Sequence, residues 1–286
     1  MIRALELALK GPTKGVNPQV GAVILDSTGE LIGEGFHNGS GTPHAEVIAL
    51  QAALSGAQKL SSGCVAVVTL EPCNHTGKTG PCAQALIEAG VSKVVFASTD
   101  PGENSGGGAN TLREAGIEVH SGVLKDKADQ QSRVWLSASK NQRPFVTLKW
   151  ASSLDGRAAA EDGTSKWISG EASRADAHRR RSEVDAIVVG TGTALIDDPE
   201  LTARKTDGSL HDSQPLRVVL GTRELPSNLR VFNSDAETVT IKTQSIHGAL
   251  GELYHRHYHH PHLHHLHHPH PELLARKVFH QIGVRF

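Results

Sequence analysis

The chain has 286 residues, of which 38% are hydrophobic and 21% are charged, and its formal net charge is −1. This length allows two ordinary domains, and the composition is typical of a globular protein rather than a disordered or fibrous one. Because acidic and basic residues nearly cancel, a broad positive surface for nucleic acid or an anionic membrane is not expected, and any phosphate recognition should be local.

The first predicted element is an amphipathic helix that runs to about Lys10. Charged residues interrupt its apolar positions, so it differs from a signal peptide, and no later apolar run is long enough to cross a bilayer. Three cysteines in a chain of this size do not make a disulfide framework. We therefore expect a cytoplasmic protein with neither a membrane nor a nucleic-acid partner.

Helices and strands alternate through residues 1–142, which we interpret as the first domain. Alternation of this kind predicts an α/β layered fold whose sheet is at least partly parallel. The turn Asp26–Glu30, which contains Gly29, predicts a hairpin. The predicted elements after the first helix are strands Val20–Leu25 and Leu31–Phe36, a helix beginning near His44, strand Cys64–Leu70, a helix over Pro81–Ala89, strand Lys93–Ala97, and a shorter helix and strand before Gly122.

A second α/β unit is predicted over residues 143–244, with its boundary near Lys140–Pro144. Residues 245–286 form a tail rich in histidine and proline, which has no apolar period and should be poorly ordered without a metal or partner. The predicted elements of the second unit are strand Phe145–Trp150, a basic helix near Glu171–Ser182, and strands Asp185–Val189 and Arg217–Leu220.

A metal-binding pattern lies at the ends of three predicted elements of the first domain. His44 opens a helix, Cys73 follows a strand, and Cys82 opens another helix. One imidazole and two thiolates leave a fourth position on zinc for water, which zinc can ionise near neutral pH. Glu46 is two residues from His44 and can move protons between that water and a substrate. The pattern H-x-E followed by two Pro-Cys elements is typical of zinc deaminases.

The histidines and cysteines of the first domain also have less specific interpretations. His-Ala-Glu alone is common on helix surfaces, and the same three donors could form a structural zinc knuckle. Cys64 falls within a buried-strand pattern, which favours a small core residue over a ligand. His37 and His75 are either substrate contacts or ordinary loop histidines.

Two loops are candidates for substrate binding. The Asn17 amide, just before the first strand, could present both a donor and an acceptor to a heterocycle, although a simple turn explains it equally well. Eight residues separate the two cysteines instead of the usual two. This segment, Asn74–Pro81, carries backbone N–H groups, hydroxyls and Lys78, which suit a phosphate.

Three segments of the first domain resemble the bacterial bifunctional riboflavin-biosynthesis deaminase/reductase family: Asn17–Gly21, His44–Glu46 and Glu71–Cys82. The long segment between the cysteines separates this chain from cytidine and tRNA-adenosine deaminases. The resemblance implies a cytidine-deaminase-like α/β/α domain. It also implies hydrolytic removal of the 2-amino group from a diamino-ribosylamino-pyrimidinone 5′-phosphate. Asn17, His75 and Lys78 would be the substrate-binding residues.

The second domain is similar to the reductase half of that family, whose fold resembles dihydrofolate reductase. The matching segments are Leu148–Arg157, Ser165–Ser169 and Asp185–Pro199. The resemblance implies that NADPH reduces the ribosyl chain to ribityl. Trp167 could instead be a core anchor. The segment Gly190–Thr193 lacks the third glycine of a Rossmann fingerprint, so by itself it is weak evidence for a nucleotide site. By resemblance, Ala151, Trp167, Thr193 and Asp197 would contact NADPH, and Ser165, Arg181, Leu201 and Arg204 would hold the substrate and its phosphate.

The resemblance ends near Gln244, and the acidic Gly-Gly-Pro turn and substrate-binding glutamate of the family are not found. An out-of-frame reading of the gene is favoured over a recent sequence replacement or a true metal-binding tail. We therefore expect an incomplete reductase domain, which is unstable or inactive, beside a working deaminase.

Two other functions remain open from the residues. One is a nucleoside or tRNA-adenosine deaminase, which substrate screening would distinguish. The other is a non-catalytic protein that binds zinc or binds metals through its histidine-rich tail. The family resemblance implies a small phosphorylated pyrimidine as the partner and a homo-oligomer as the assembly.

Overall fold

A computed structural model of the chain describes residues 1–76, 80–102, 105–165 and 167–242. The chain divides into two compact units, and the division falls between Phe145 and Val146. None of the described helices combines the length and the apolar character needed to cross a bilayer. The predicted tail, residues 245–286, lies outside the described residues.

The first unit is built on a five-stranded sheet with the order β2-β1-β3-β4-β5. Strand β1 pairs antiparallel with β2 and β3, whereas β3, β4 and β5 are parallel to one another. The predicted hairpin and the partly parallel sheet are both confirmed. The strands are β1 Gly21–Leu25, β2 Leu31–Phe36, β3 Val65–Leu70, β4 Lys93–Ser98 and β5 Glu118–Ser121.

Helices cover both faces of this sheet, which confirms the α/β/α layers. Side chains alternate along the strands, so Ile24 packs into one core and Val23 into the other. The core of Ile24 also contains Leu50, Leu86 and Leu112, and the core of Val23 contains Leu7. The helices are α1 Ile2–Ala8, α2 Ala45–Leu54, α3 Cys82–Glu88, α4 Gly108–Glu114, α5 Lys125–Gln131 and α6 Arg133–Asn141.

Close contact between α2 and β2 places the start of α2 over the sheet. A Cβ atom at Gly35 would lie 2.6 Å from the Ala45 carbonyl oxygen and 2.7 Å from the Ala49 backbone nitrogen. Real Cβ atoms do not approach backbone this closely, so only glycine allows this spacing. The first turn of α2 is therefore held firmly against β2.

The second unit contains a three-stranded parallel sheet with the order β6-β7-β8. Its buried side chains include Ala194, Leu201, Val219 and Val231. The predicted basic helix and the two later predicted strands are confirmed as α7, β6 and β7. The elements are α7 Glu171–Ser182, β6 Ala186–Gly190, α8 Thr191–Asp197, β7 Leu216–Leu220 and β8 Thr238–Ile241.

The predicted strand Phe145–Trp150 is wrong, because no strand is present there. Val146, Leu148 and Trp150 are 59%, 77% and 71% exposed. A β-branched and aromatic segment becomes a strand only when a neighbour supplies backbone partners and a surface to pack on. Among the described residues, β6 pairs with β7 alone, and its other edge has no neighbouring strand.

Candidate metal centre and active site

Three side chains that can bind a metal converge where α2 and α3 begin. His44 is the N-cap residue of α2, Cys73 lies three residues beyond β3, and Cys82 is the first residue of α3. The Nδ1 atom of His44 lies 3.2 Å from the Cys82 Sγ atom and 3.5 Å from the Cys73 Sγ atom. Tetrahedral zinc with ordinary bond lengths requires N to S separations of roughly 3.5 Å. The donor set therefore fits zinc with one coordination position left open.

A hydrogen bond between the two thiols shifts their pKa values in opposite directions. A hydrogen bond from the Cys82 thiol, helped by His44, lowers the pKa of Cys73 to about 4. The same bond raises the pKa of Cys82, because the proton it would release is bound between two sulfur atoms. The hydrogen bond with Cys73 also raises the pKa of His44. A cation is needed to stabilise both thiolates together.

Glu46 lies in the first turn of α2 and is only 4% exposed. Burial raises the pKa of its carboxyl group to about 7. The carboxyl group also hydrogen-bonds the Cys82 side chain. A carboxyl group beside the donor cluster, with a pKa near neutrality, suits both proton uptake and proton release.

His37 connects Asn17 to this cluster, because it contacts both Asn17 and His44. The Asn17 Nδ2 atom donates to the Nε2 atom of His37 at 2.8 Å, so the His37 Nδ1 atom carries the hydrogen and donates to the Pro43 carbonyl oxygen at 3.1 Å. Burial lowers the pKa of His37, which keeps the ring neutral. The His37 and His44 rings meet edge to face with their centroids 5.2 Å apart. His37 therefore fixes the orientation of the Asn17 amide and contacts the ring of His44.

The remaining candidates of the first domain differ in position. His75 is exposed two residues after Cys73, and its substrate role stays a prediction. Lys78 lies outside the described residues. Cys64 is fully buried as a free thiol away from the donor cluster, which confirms that it is a core residue.

Sequence reasoning missed Glu71, a buried carboxylate that directly precedes Pro72 and Cys73. It is 5% exposed, and its two oxygens accept backbone N–H bonds from Asp100 and Ala109. An acidic residue at the end of an apolar strand pattern is a signal that could have identified it, because a buried carboxylate needs donors nearby.

In the second unit, three predicted substrate residues converge around Thr202. The Nη1 atom of Arg181 donates to the Thr202 carbonyl oxygen at 3.2 Å, and Leu201 is the buried residue immediately before it. Arg204 forms an ion pair with Glu200. Leu201 has φ +55°, a strained conformation for a branched residue and one that is frequent at binding sites.

The other predicted residues of this unit lie elsewhere. Ser165 and Ala151 are half-buried in a segment without helix or strand. Thr193 and Asp197 are exposed on α8, where their spacing of four residues places them on one helix face. Trp167 is 74% exposed, and the Arg174 guanidinium lies 4.4 Å from its ring centroid. Trp167 is therefore not a core anchor.

Two family models match the chain, one in each half. Residues 1–98 match the cytidine and deoxycytidylate deaminase zinc-binding region, and residues 144–260 match the RibD C-terminal domain. The second match continues past the predicted end of the resemblance at Gln244.

Relatives with both halves are found in several bacteria. The riboflavin biosynthesis protein RibD of Mycobacterium tuberculosis is 53% identical over 79% of this chain and 66% of its own length. The Escherichia coli RibD is 39% identical over 85% of this chain and 68% of its own length. This chain thus spans about two thirds of the length of these relatives.

Solved structures give the same result for the fold. A Thermotoga maritima protein described as a diaminohydroxyphosphoribosylaminopyrimidine deaminase/5-amino-6-(5-phosphoribosylamino)uracil reductase is 38% identical. It has a TM-score of 0.77 over 90% of this chain and 77% of that chain. The Acinetobacter baumannii RibD is 42% identical, with a TM-score of 0.74 over 85% of this chain and 68% of that chain.

Proposed function

This chain belongs to the RibD family of riboflavin-biosynthesis proteins, and from that premise we propose that its first domain is a zinc-dependent aminopyrimidine deaminase. The substrate is a diamino-ribosylamino-pyrimidinone 5′-phosphate, from which the 2-amino group is removed by hydrolysis. One observation carries the proposal: the buried Glu46 carboxyl group lies beside the donor triad of His44, Cys73 and Cys82.

His44, Cys73 and Cys82 would hold the zinc ion, which would supply a Lewis acid that makes the attacking water more acidic. Glu46 accepts the proton that the attacking water releases as its oxygen bonds to C2 of the pyrimidine. The same carboxyl group then delivers that proton to the adjacent ring nitrogen. It next takes the remaining proton of the added hydroxyl group, which becomes the C2 carbonyl oxygen, and delivers it to the departing amino group, which leaves as ammonia. One water is consumed for each ammonia released. Burial raises the pKa of Glu46 to near neutrality, which helps the carboxyl group to alternate between its ionised and protonated forms.

Substrate orientation is assigned to Asn17 and to the segment between the cysteines. One hydrogen of the Asn17 amide is donated to His37, so the orientation of the amide group is fixed. The Asn17 oxygen and second hydrogen suit a heterocycle edge that offers both a donor and an acceptor. His75 and Lys78 are proposed to bind the phosphate, since they belong to the long segment that separates the two thiolates.

The test of this mechanism is Glu46→Gln. The amide is nearly isosteric but cannot accept the proton, so we expect ammonia release to fall by about 10²–10⁴-fold with zinc content unchanged. Retention of normal ammonia release by the zinc-loaded variant would refute the proposed role of Glu46. Loss of zinc along with activity would instead place Glu46 in the metal site.

The second domain is proposed to belong to an NADPH-dependent reductase that acts on the ribosyl chain of the deaminated product. The match to the RibD C-terminal domain and the convergence of Arg181, Leu201 and Arg204 support this assignment. Guanidinium groups suit a substrate phosphate.

We further propose a cytoplasmic homo-oligomer that acts on small phosphorylated pyrimidines and binds neither nucleic acid nor membranes. The near-zero net charge supports the absence of a nucleic-acid or membrane partner. A nucleoside or tRNA-adenosine deaminase is the alternative, and the eight-residue segment between the cysteines argues against it.

A further inference from the structure

A buried carboxylate behind the metal centre has no part in the proton transfers described above. Glu71 follows the last residue of β3 and is 5% exposed. Burying a carboxylate costs several kcal/mol unless hydrogen bonds compensate for its lost hydration. Within the part of the chain that the structure describes, Glu71 forms no ion pair with lysine or arginine. Its compensation comes from backbone donors.

These donors belong to a different part of the chain from Glu71. The Oε2 atom accepts from the Asp100 backbone N–H at 3.3 Å, and the Oε1 atom accepts from the Ala109 N–H at 3.1 Å. Ala109 lies in the first turn of α4, where the N–H group has no partner inside the helix. The Glu71 side chain therefore spans from the strand end before Cys73 to both ends of the segment 100–109.

Backbone contacts join the same two segments on either side of Cys73. The Glu71 N–H donates to the Ser98 carbonyl oxygen at 2.8 Å, and the Asn74 N–H donates to the Ser105 carbonyl oxygen at 2.9 Å. A Cβ atom at Gly108 would collide with the Pro72 carbonyl oxygen, so α4 begins directly against the peptide before Cys73. Cys73 thus lies in a short stretch of chain whose position depends on contacts with Ser98, Ser105 and Gly108.

The position of Cys73 also matters to its partner ligand. The Cys82 N–H donates to the Cys73 Sγ atom at 3.4 Å, and the Ala83 N–H donates to the Cys73 carbonyl oxygen at 3.1 Å. A metal site tolerates displacements of only about 0.5 Å in its ligands. Any loosening of residues 71–74 would therefore change the sulfur positions of both cysteines.

We propose that Glu71 is a positioning residue of the metal centre, which holds the Cys73 thiolate in place by joining the end of β3 to the backbone N–H groups of Asp100 and Ala109. The inference rests on the proposed zinc site and adds to it a residue outside the ligand set. Charge-assisted bonds from backbone N–H groups are about twice as strong as neutral ones, which suits a carboxylate to this task.

The experiment compares the full chain with Glu71→Gln. Glutamine offers one oxygen where two N–H donors must be satisfied, so one donor meets an amide NH₂ group instead. We expect zinc affinity, measured by competition with a chromogenic chelator, to fall about 10–100-fold and zinc release to be faster, as is usual when a residue that supports a ligand is lost. We also expect a changed visible absorption spectrum of the cobalt-substituted protein and a lower kcat with little change in KM.

Two further variants support the comparison. Glu88→Gln makes the same chemical change at an exposed carboxylate of α3 and should leave zinc release and the cobalt spectrum unchanged. Glu71→Asp keeps the charge on a shorter side chain. Its rate of zinc release should fall between those of the wild type and Glu71→Gln. If the glutamine variant does not fold, the aspartate variant carries the same measurements.

Wild-type zinc release and an unchanged cobalt spectrum in Glu71→Gln would overturn the inference, even if the variant unfolded at a lower temperature. That outcome would leave Glu71 with a purely structural role and the proposed deaminase intact. A wild-type chain that binds no zinc would overturn both proposals, and the zinc content of the wild type is therefore measured first.

Discussion

At the scale of single residues, the metal centre depends on a thiol, Cys82, whose pKa is raised by its hydrogen bond with Cys73. Cys73 is already a thiolate near neutral pH, whereas Cys82 keeps its proton because the neighbouring sulfur accepts it. Metal binding must therefore release the Cys82 proton, and zinc affinity should rise with pH.

Replacement of this second ligand gives the first prediction. In Cys82→Ser the hydroxyl group stays protonated, and only two of the three donors remain for zinc. We expect zinc content, measured by mass spectrometry of the purified protein, to fall from one per chain to a small fraction, and ammonia release to fall with it. Cys64→Ala removes a buried thiol outside the centre and should keep its zinc. Full zinc content in Cys82→Ser would remove Cys82 from the ligand set.

Glu46 gives a prediction for the metal-free protein. Burial raises the pKa of its carboxyl group from 4.5 to about 7, so the folded state binds this proton more tightly than the unfolded state. The resulting stabilisation is complete below pH 4.5 and is lost as the pH rises through about 7. Relative to the metal-free wild type, metal-free Glu46→Gln should therefore gain about 3 kcal/mol of stability between pH 4.5 and pH 8, since one pKa unit is about 1.4 kcal/mol.

Chemical unfolding of both metal-free proteins at pH 4.5 and pH 8 measures this difference. Glu88→Gln, which changes an exposed carboxylate, should have the same stability to chemical unfolding as the wild type at both pH values. An advantage of Glu46→Gln that is equal at the two pH values would contradict the pKa shift.

The candidate zinc ligands and Glu46 could be predicted from the sequence because zinc requires particular residue types, which here lie at two helix starts and just after a strand. His37 could be named only as one of two possibilities, since the bond to Asn17 depends on residues 20 positions apart. Glu71 was missed for a similar reason. Its partners, Asp100 and Ala109, are 29 and 38 residues away, and no local pattern identifies them.

At the scale of elements, the approach of α2 to β2 decides where His44 and Glu46 lie. Gly35→Ala would place a methyl group against the α2 backbone at 2.6–2.7 Å. Overpacking of this kind typically costs 1–3 kcal/mol. We expect a lower thermal unfolding temperature and weaker zinc binding, because the displaced helix begins at a ligand.

The matched control is Gly80→Ala, where the added methyl group would meet no atom within 4 Å. Its unfolding temperature should stay near that of the wild type. Equal unfolding temperatures for Gly35→Ala and Gly80→Ala would contradict a tight contact between α2 and β2.

The elements that sequence patterns predicted well are those with a strong apolar period, such as β3 and α3. Helices α5 and α6 were missed because only one of their residues, Ala128, is buried. Strand β8 was missed because four residues give too short a pattern. The segment Phe145–Trp150 was misassigned because a strand depends on its neighbours in the sheet, which its own residues do not reveal.

At the scale of the whole molecule, the two units differ in how fully their sheets are covered and paired among the described residues. The first has helices on both faces of its sheet, whereas β6 in the second lacks a neighbour on one edge among the described residues. Parallel strands are normally covered on both faces, yet Val188 of β6 is 36% exposed. We therefore predict that the full chain releases ammonia but oxidises NADPH slowly or not at all.

A coupled assay that follows ammonia and NADPH in the same reaction measures both activities. NADPH oxidation at a rate comparable to ammonia release would contradict this prediction and assign a working reductase to the second unit. The nucleotide sequence around the Gln244 codon provides a second check, since a shifted frame that restores a reductase ending would explain the predicted tail.

We propose that the metal-binding triad and the buried Glu46 deaminate a phosphorylated pyrimidine. The most direct measurement is ammonia release by the zinc-loaded chain from the diamino-ribosylamino-pyrimidinone 5′-phosphate, with cytidine and adenosine as competing substrates. We predict one ammonia per molecule of the phosphorylated pyrimidine and none from either nucleoside. Release from cytidine or adenosine but not from the phosphorylated pyrimidine would contradict the account.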